Sequence, residues 1–260
     1  MIDERVATRG PDAGVLAAWV TAWLQGAVAA DDVLAAVPGV SVQRVRGLDP
    51  ADPDALEPWS AVLATLRRRG VTGVRAVLPV PGDVRGLPST DPAFTAAALE
   101  AGQALVASAP DGWGLGLVPA AVGSGQLLVW TAHVVGAPPA DPLTVREAGV
   151  ELGAVMRETS GVFTAAGLGG GRVDPAALSS ARRAGDHLAL PPGHPAPAVA
   201  LLAQARRLRA ALDLVVDDVQ GGAVDRAGVA RREAALRPLF TAVRRARQAA
   251  CNAWLEPPRD

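Results

Sequence analysis

Several short segments in the first half of the chain carry apolar residues at alternate or successive positions, bounded by Gly, Pro and Asp. Residues 39–46 alternate valine with polar side chains, and residues 71–80 form the most continuous run of strand-forming residues. Three further segments, 104–108, 114–122 and 127–135, follow one another with only short Gly-containing turns between them. This pattern predicts β-strands, and the short turns predict that the last three form an antiparallel meander.

A helical period, with apolar residues three and four positions apart, occupies most of the remaining chain. Asp91-Pro92 and Asp141-Pro142 mark two helix starts, because an N-cap aspartate accepts a hydrogen bond from a free N–H and a proline at N1 lacks that group. The Gly-rich residues 167–171 end the longest helix of this half. Helices are predicted at residues 12–37 (as one or two helices), at 58–69, from 91 onward, and at 143–166, 174–189, 197–219 and 224–255.

These elements predict an α+β fold: a four- to five-stranded mixed sheet that ends in the antiparallel meander, with helices packed on it, followed by a C-terminal helical bundle. Three segments follow from this order. Residues 1–38 form N-terminal helices packed on the sheet domain, residues 39–170 form the α+β sheet domain, and residues 171–260 form an arginine-rich helical region.

Composition removes several kinds of chemistry. All 25 basic residues are arginine, so the chain lacks the phosphate-binding lysine of a P-loop and any lysine that could form a Schiff base with pyridoxal phosphate. The single cysteine, Cys251, excludes an intrachain disulfide and a thiolate zinc site. His187 and His194 have no cysteine or carboxylate at metal-ligand spacing. We therefore expect neither a metal nor a cofactor.

The uncharged run of 18 residues from Ala13 to Ala30 is near the lower length limit for a membrane span. Much of it is alanine, and its larger apolar residues have the spacing of a helix that packs on a protein core. The preceding residues mix acidic and basic side chains, which is unlike the start of a signal peptide. We expect a soluble cytoplasmic protein.

Charge is distributed unevenly although the net charge is −1. Residues 1–171 carry 11 arginines and 17 acidic residues, whereas residues 172–260 carry 14 arginines and 9 acidic residues. A basic helical region of this kind predicts a surface that meets a partner. The arginines proposed for it are Arg206, Arg207, Arg231, Arg232, Arg244 and Arg245. Interspersed carboxylates and the lack of interleaved aromatic residues weigh against nucleic acid as that partner.

The loop 79–91 leaves a predicted central strand and precedes a capped helix, a favoured place for ligands in layered α/β structures. Asp83 offers an acid, and the guanidinium of Arg85 could bind a carboxylate or phosphate. In the alternative interpretation, Asp83 caps a turn and Arg85 pairs with an acidic neighbour. His133, in an otherwise apolar strand, could serve the same site as a general base. In the alternative interpretation, it is a hydrogen-bonded structural residue of its strand.

The sequence supports three functional hypotheses. The first is a non-enzymatic protein that acts through protein–protein contacts, with a protein partner or a second copy of itself on the C-terminal helices. The second is a protein that binds a small anionic molecule, or an enzyme, with its site at Asp83, Arg85 and His133. The third is a nucleic-acid-associated protein that uses the C-terminal arginines.

Overall fold

The structure is a computed structural model of the 260-residue chain. It describes residues 12–36, 42–88, 91–122, 127–138, 143–165, 190–221 and 226–256, and the single positions 179 and 183. The chain forms two compact units, the first consisting of Met1–Pro142, Ala189–His194 and Cys251–Asp260 and the second of Leu143–Leu188 and Pro195–Ala250. The segment boundaries predicted at residues 38 and 170 fall outside the described residues and stay predictions.

The first unit is built on a six-stranded mixed sheet with the strand order β2-β1-β6-β5-β4-β3. The strands are β1 (Val42–Arg46), β2 (Glu57–Pro58), β3 (Val74–Val77), β4 (Ala104–Ser108), β5 (Gly114–Val122) and β6 (Leu127–Val135). β1 pairs with β6 in parallel, and the other neighbouring strands are antiparallel. The predicted α+β class is confirmed.

The sheet differs from the prediction in its strand count and in the extent of its meander. We predicted four to five strands that end in a three-stranded meander. The meander has four strands, β3 to β6, and the sheet continues past it through β1 and β2. β2 has only two residues, too few for any period to show in the sequence. The parallel pairing of β1 with β6 joins segments some 80 residues apart and has no local signature.

The helices α1 (Ala13–Leu24) and α3 (Trp59–Arg68) cover one face of the sheet, and the short α2 (Ala30–Ala35) adds Val33 to the same core. Trp130 of β6 is fully buried there and meets the ring of Trp59 edge to face, with the ring centroids 5.3 Å apart. α1 is buried along nearly its whole length. The apolar run from Ala13 therefore begins with a core helix, as predicted.

The edge strand β3 is protected by two side chains rather than by another strand. The Thr21 hydroxyl donates to the Val74 carbonyl and accepts from the Val74 N–H, at 3.0 Å each. The Asn252 side chain likewise accepts from the Ala76 N–H at 2.8 Å and donates to the Ala76 carbonyl at 2.9 Å. These bonds satisfy outward backbone groups that would otherwise invite pairing with another chain.

The helix α4 (Pro92–Ala101) packs on the opposite face, which we call the α4 face. The ring of its Phe94 lies over Gly116 of β5, where a Cβ atom would be 2.5 Å from the ring. Glycine at this position therefore allows the helix to approach the sheet. Val77, Val106 and Val118 complete this second, smaller core with Leu87 from the preceding loop.

The second unit contains the helices α5 (Val145–Ala165), α6 (Ala196–Gly221) and most of α7 (Arg226–Cys251). Glu151 of α5 pairs with Arg245 of α7, and the Gln204 amide of α6 lies 3.7 Å from the sulfur of Met156 on α5. The predicted C-terminal bundle is supported only in part, because its helix at 174–189 lies outside the described residues except for positions 179 and 183. Among the described residues, no helix is long and apolar enough to cross a membrane.

Candidate functional site

The loop after β3 is organised by a tight turn and an ion pair. Val80 and Asp83 exchange two backbone hydrogen bonds, of 3.0 and 2.8 Å, around Gly82, whose φ is +87°. The Asp83 carboxylate accepts hydrogen bonds from Nε and Nη2 of Arg85, both at 2.7 Å. The structure thus brings these two predicted site residues together, and Arg85 binds Asp83 in a bidentate ion pair. Their predicted role toward a ligand stays a prediction.

Asp91, at the end of the same loop, links α4 to β6. Its Oδ1 accepts hydrogen bonds from the N–H groups of Ala93 (2.9 Å) and Phe94 (3.1 Å), so it is the N-cap that the Asp-Pro pattern predicted. Its Oδ2 lies 3.6 Å from Nδ1 of His133. That separation is an ion-pair distance rather than a hydrogen bond. His133 therefore lies at the end of the loop with which the sequence associated it.

The surroundings of His133 are mostly apolar. It lies opposite Gly116 in the β5–β6 ladder, and its ring centroid is 5.5 Å from that of Phe94. Its Nε2 atom is buried and has no hydrogen-bond partner in the described part of the protein. A buried polar atom without a partner costs free energy of about 1–3 kcal/mol, so a ligand or a water at Nε2 would stabilise this arrangement.

On β1 and β6, three more polar side chains share this face with His133. Strand residues alternate between the two faces, and Val45 and Trp130 belong to the core under α1 and α3. Arg44, Arg46, Thr131 and His133 consequently lie on the α4 face, where the ladder pairs Arg46 with Thr131 and Arg44 with Val129. The Nε of Arg46 donates to the Thr131 hydroxyl at 3.1 Å. We call these four residues the β1–β6 polar face.

The sequence analysis did not identify Arg44, Arg46 or Thr131 as site residues. The alternation of arginine with Val45 was visible and would have placed both arginines on the face opposite the core. Their neighbours could not be deduced, because these depend on the parallel pairing of β1 with β6.

The arginines of the C-terminal helices are embedded in mixed charge. Arg209 pairs with Asp213 one turn along α6, and its guanidinium also lies 5.4 Å from the ring centroid of Phe240. Arg245 pairs with Glu151, and Arg206, Arg207 and Arg244 also have interaction partners. The side chains of Arg231 and Arg232 lie outside the described residues. The predicted interaction surface stays a prediction.

The described residues contain no group of three or more His, Cys, Asp or Glu side chains that could hold a metal ion. Cys251 is buried, and its sulfur packs against Gly14, 2.6 Å from the position that a Cβ of residue 14 would occupy.

A six-stranded mixed sheet with a polar patch beside α4, followed by a unit of long helices, defines a two-unit α+β protein. The chain matches the family Rv1486c-like protein, N-terminal domain, over residues 13–145 and the family Rv1486c-like protein, C-terminal domain, over residues 146–248. It belongs to the Rv1486c-like family.

Two relatives from Mycobacterium tuberculosis illustrate this membership. They are uncharacterized protein MT1533 of strain CDC 1551 / Oshkosh and uncharacterized protein Rv1486c of strain ATCC 25618 / H37Rv. Each is 32% identical to this chain over 282 aligned positions, which cover 92% of this chain and 96% of the relative. No solved structure matches the chain.

Proposed function

We propose that this protein binds a small molecule on the α4 face of its sheet, beside Asp91 and His133. The observation that carries the proposal is the buried Nε2 of His133, which has no partner among the described residues. Asp91 lies 3.6 Å from the other nitrogen of the imidazole and is itself fixed by two helix N–H groups. Because Nε2 is buried, a ligand that bonds to it must displace the side chains that cover it.

This proposal concerns binding rather than catalysis. The polar and ring contacts of His133 among the described residues are with Asp91 and Phe94, and neither side chain is a nucleophile poised on the imidazole. The pair alone supports ligand recognition through hydrogen bonding and charge. It corresponds to the second hypothesis from the sequence, with the site centred on Asp91 and His133 instead of on Arg85.

Protein-observed NMR with small fragments tests the proposal. The library should contain carboxylate, phosphate, amide and hydroxyl compounds, and the imidazole ¹⁵N signals of His133 and His194 should be followed separately. We expect fragments that shift the His133 signals and the backbone amide signals of its neighbours on β6. The amide shifts should be lost in His133→Gln but kept in the control Val134→Ala, whose side chain is 68% exposed. If every fragment leaves the His133 signals unchanged while other surfaces respond, the proposal is wrong.

A second candidate function is protein–protein contact, which the sequence favoured. Val134 on β6 and Val150 on α5 support it, because they are the most exposed of the large apolar side chains among the described residues, at 68% and 66%. Exposed apolar groups are compatible with a partner, although single ones are common on any surface. Neither Val134 nor Val150 has polar groups arranged around it as His133 does.

Affinity capture from native lysate tests this candidate, with the wild type compared with Val134→Asp and Val150→Asp, each with and without nuclease. A protein that is captured by the wild type in both conditions and lost with one variant supports contact through that residue. Capture that disappears on nuclease treatment would support nucleic-acid association instead. Identical capture by all three proteins would contradict both contact residues.

A further inference from the structure

We infer that the ligand of this face is a small oxyanion, a carboxylate or phosphate group, seated by Arg46 and Arg44 together with Thr131 and His133. The inference rests on the proposed function and names its ligand class. It transfers anion recognition from Arg85, where the sequence placed it, to two arginines on β1.

The arginines of the chain differ in whether a carboxylate lies beside their guanidinium groups. Arg85, Arg209 and Arg245 each have a carboxylate within hydrogen-bond distance. Within the described structure, neither Arg44 nor Arg46 has a carboxylate within 4.0 Å. Arg44 donates from one terminal nitrogen to the carbonyl of Gln43, and Arg46 donates from Nε to Thr131. Two neighbouring cations of β1 with no carboxylate within 4.0 Å among the described residues provide the donors that an external oxyanion needs.

The spacing of side chains on β1 and β6 brings Arg46 and His133 within reach of one ligand. Neighbouring strands lie about 4.8 Å apart, and residues two positions apart on one strand are separated by about 6.6 Å. Arg46 is directly opposite Thr131, and His133 is the next residue of β6 on the same face. Long arginine side chains reach further than this separation, so Arg46 and His133 can contact one bound group. The hydrogen bond to Thr131 also holds Arg46 over the sheet.

The carboxylate of Asp91 lies beside His133. Asp91 lies on the Nδ1 side of the ring, and its Oδ1 is occupied by the N–H groups of α4. An imidazolium can donate from Nδ1 toward Asp91 and from Nε2 toward an anion at the same time. The imidazolium would then lie between two anions, with Arg46 adding a second positive charge. Asp91 in this arrangement is a positioning residue, because it orients the ring and need not touch the ligand.

Titrations followed by NMR test the inference with three probes: inorganic phosphate, acetate and the neutral acetamide. The proteins are the wild type, Arg46→Gln, Arg44→Gln and, as a matched control, Arg237→Gln, which removes an exposed arginine from α7. Dispersed spectra and unchanged melting temperatures show that each variant is folded. We expect phosphate or acetate, but not acetamide, to shift the His133 signals.

Arg46→Gln should weaken anion binding about tenfold or more, because it removes a charge-assisted hydrogen bond to the anion. Arg44→Gln should weaken anion binding less, since Arg44 lies two residues further along β1 from His133 than Arg46 does. Arg237→Gln should leave anion binding unchanged. A preference for phosphate over acetate, or the reverse, identifies the source of the oxyanion.

The failures are distinguishable. If neutral fragments bind at His133 while neither anion does, or if anion binding is equal in the wild type and both β1 variants, the oxyanion assignment is wrong and the proposed function stands. If no probe or fragment shifts His133, both are wrong. If Arg237→Gln weakens binding as much as Arg46→Gln, the effect is one of net charge and the assignment to β1 is overturned.

Discussion

The two faces of the sheet in the first unit differ sharply although they are formed by the same strands. The face under α1 and α3 is closed by large apolar side chains, among them Trp59, Leu66 and Trp130, and two of these, Trp59 and Leu66, also line a small apolar void. The α4 face has a smaller core around Phe94. Beside that core it carries the β1–β6 polar face, where the described residues give neither Nε2 of His133 a hydrogen-bond partner nor Arg44 and Arg46 a carboxylate within 4.0 Å.

β6 contributes side chains both to the larger core and to the β1–β6 polar face. Leu128 and Trp130 point into the larger core, whereas Thr131 and His133 point to the other face. Alternate residues of β6 therefore have different roles: those on one face contribute to stability, and those on the other face are placed to recognise a ligand. Substitutions at adjacent positions should therefore have unlike consequences.

The largest effect is expected from adjacent residues of β6 with opposite orientations. Trp130→Ala removes a fully buried ring, its edge-to-face contact with Trp59 and its hydrogen bond to Gln43 (2.9 Å). We expect the free energy of unfolding to fall by about 3–5 kcal/mol. Thr131→Ala, on the half-exposed side, should lower it by less than about 1 kcal/mol. Urea denaturation of both variants measures the two values.

Equal destabilisation by Trp130→Ala and Thr131→Ala would contradict the difference between the two faces, because it would mean that the α4 face supports the fold as strongly as the core. A loss of anion binding in Thr131→Ala without a loss of stability would support that difference.

The next effect concerns the approach of α4 to the sheet. In Gly116→Ala the added methyl group would meet the ring of Phe94 at 2.5 Å, so either the ring or the helix must move. We expect a loss of about 1–3 kcal/mol in the free energy of unfolding. Gly161→Ala on α5 is the matched control, since nothing lies within 4 Å of its added methyl group. This exposed helical substitution should stabilise by about 0.5–1 kcal/mol.

Calorimetric melting of both glycine variants and of the double variant Gly116→Ala/Phe94→Leu provides the check. The smaller leucine should recover part of the loss. If Gly116→Ala is as stable as the wild type, the close packing of Phe94 does not limit the position of α4.

Much of the fold was predictable because its signals are local. The strands β4, β5 and β6 were predicted with their observed bounds, since apolar runs separated by Gly-containing turns leave few alternatives. The start of α4 was predictable from Asp91-Pro92 for the same reason. The position of β1 in the sheet and the existence of β2 were not, because the first depends on a distant partner and the second is too short.

The candidate site was predictable only in pieces. Asp83, Arg85 and His133 were identified by residue type, and Asp91 as a helix cap. What the sequence could not supply is that Asp91 turns its second oxygen toward His133, while Arg85 turns to Asp83. Pairings between side chains depend on register and loop geometry, and composition alone does not encode either.

Asp91 allows the cap and the ion pair to be separated. Asp91→Ala should lower the free energy of unfolding by about 1 kcal/mol because two helix N–H groups lose their acceptor. Asp91→Asn should be nearly neutral for stability, since asparagine caps helices about as well, but it removes the charge facing His133. Urea denaturation and the imidazole ¹⁵N signals of His133 measure the two effects. If Asp91→Asn is as destabilising as Asp91→Ala, the ion pair rather than the cap carries the contribution.

The smallest effect is expected at the start of α5, in the second unit. The hydroxyl and the backbone N–H of Thr144 donate to Glu147 at 2.7 and 3.0 Å, and these bonds lower the pKa of Glu147 from its ordinary value of 4.5. A lowered pKa means that the stabilisation is present above 4.5 and is lost as the pH falls through the folded-state pKa. Glu147→Gln should therefore have a slightly lower urea midpoint than the wild type at pH 7, and the difference should shrink below pH 4.5. A difference that does not change with pH would show that the charge of Glu147 contributes nothing to the cap.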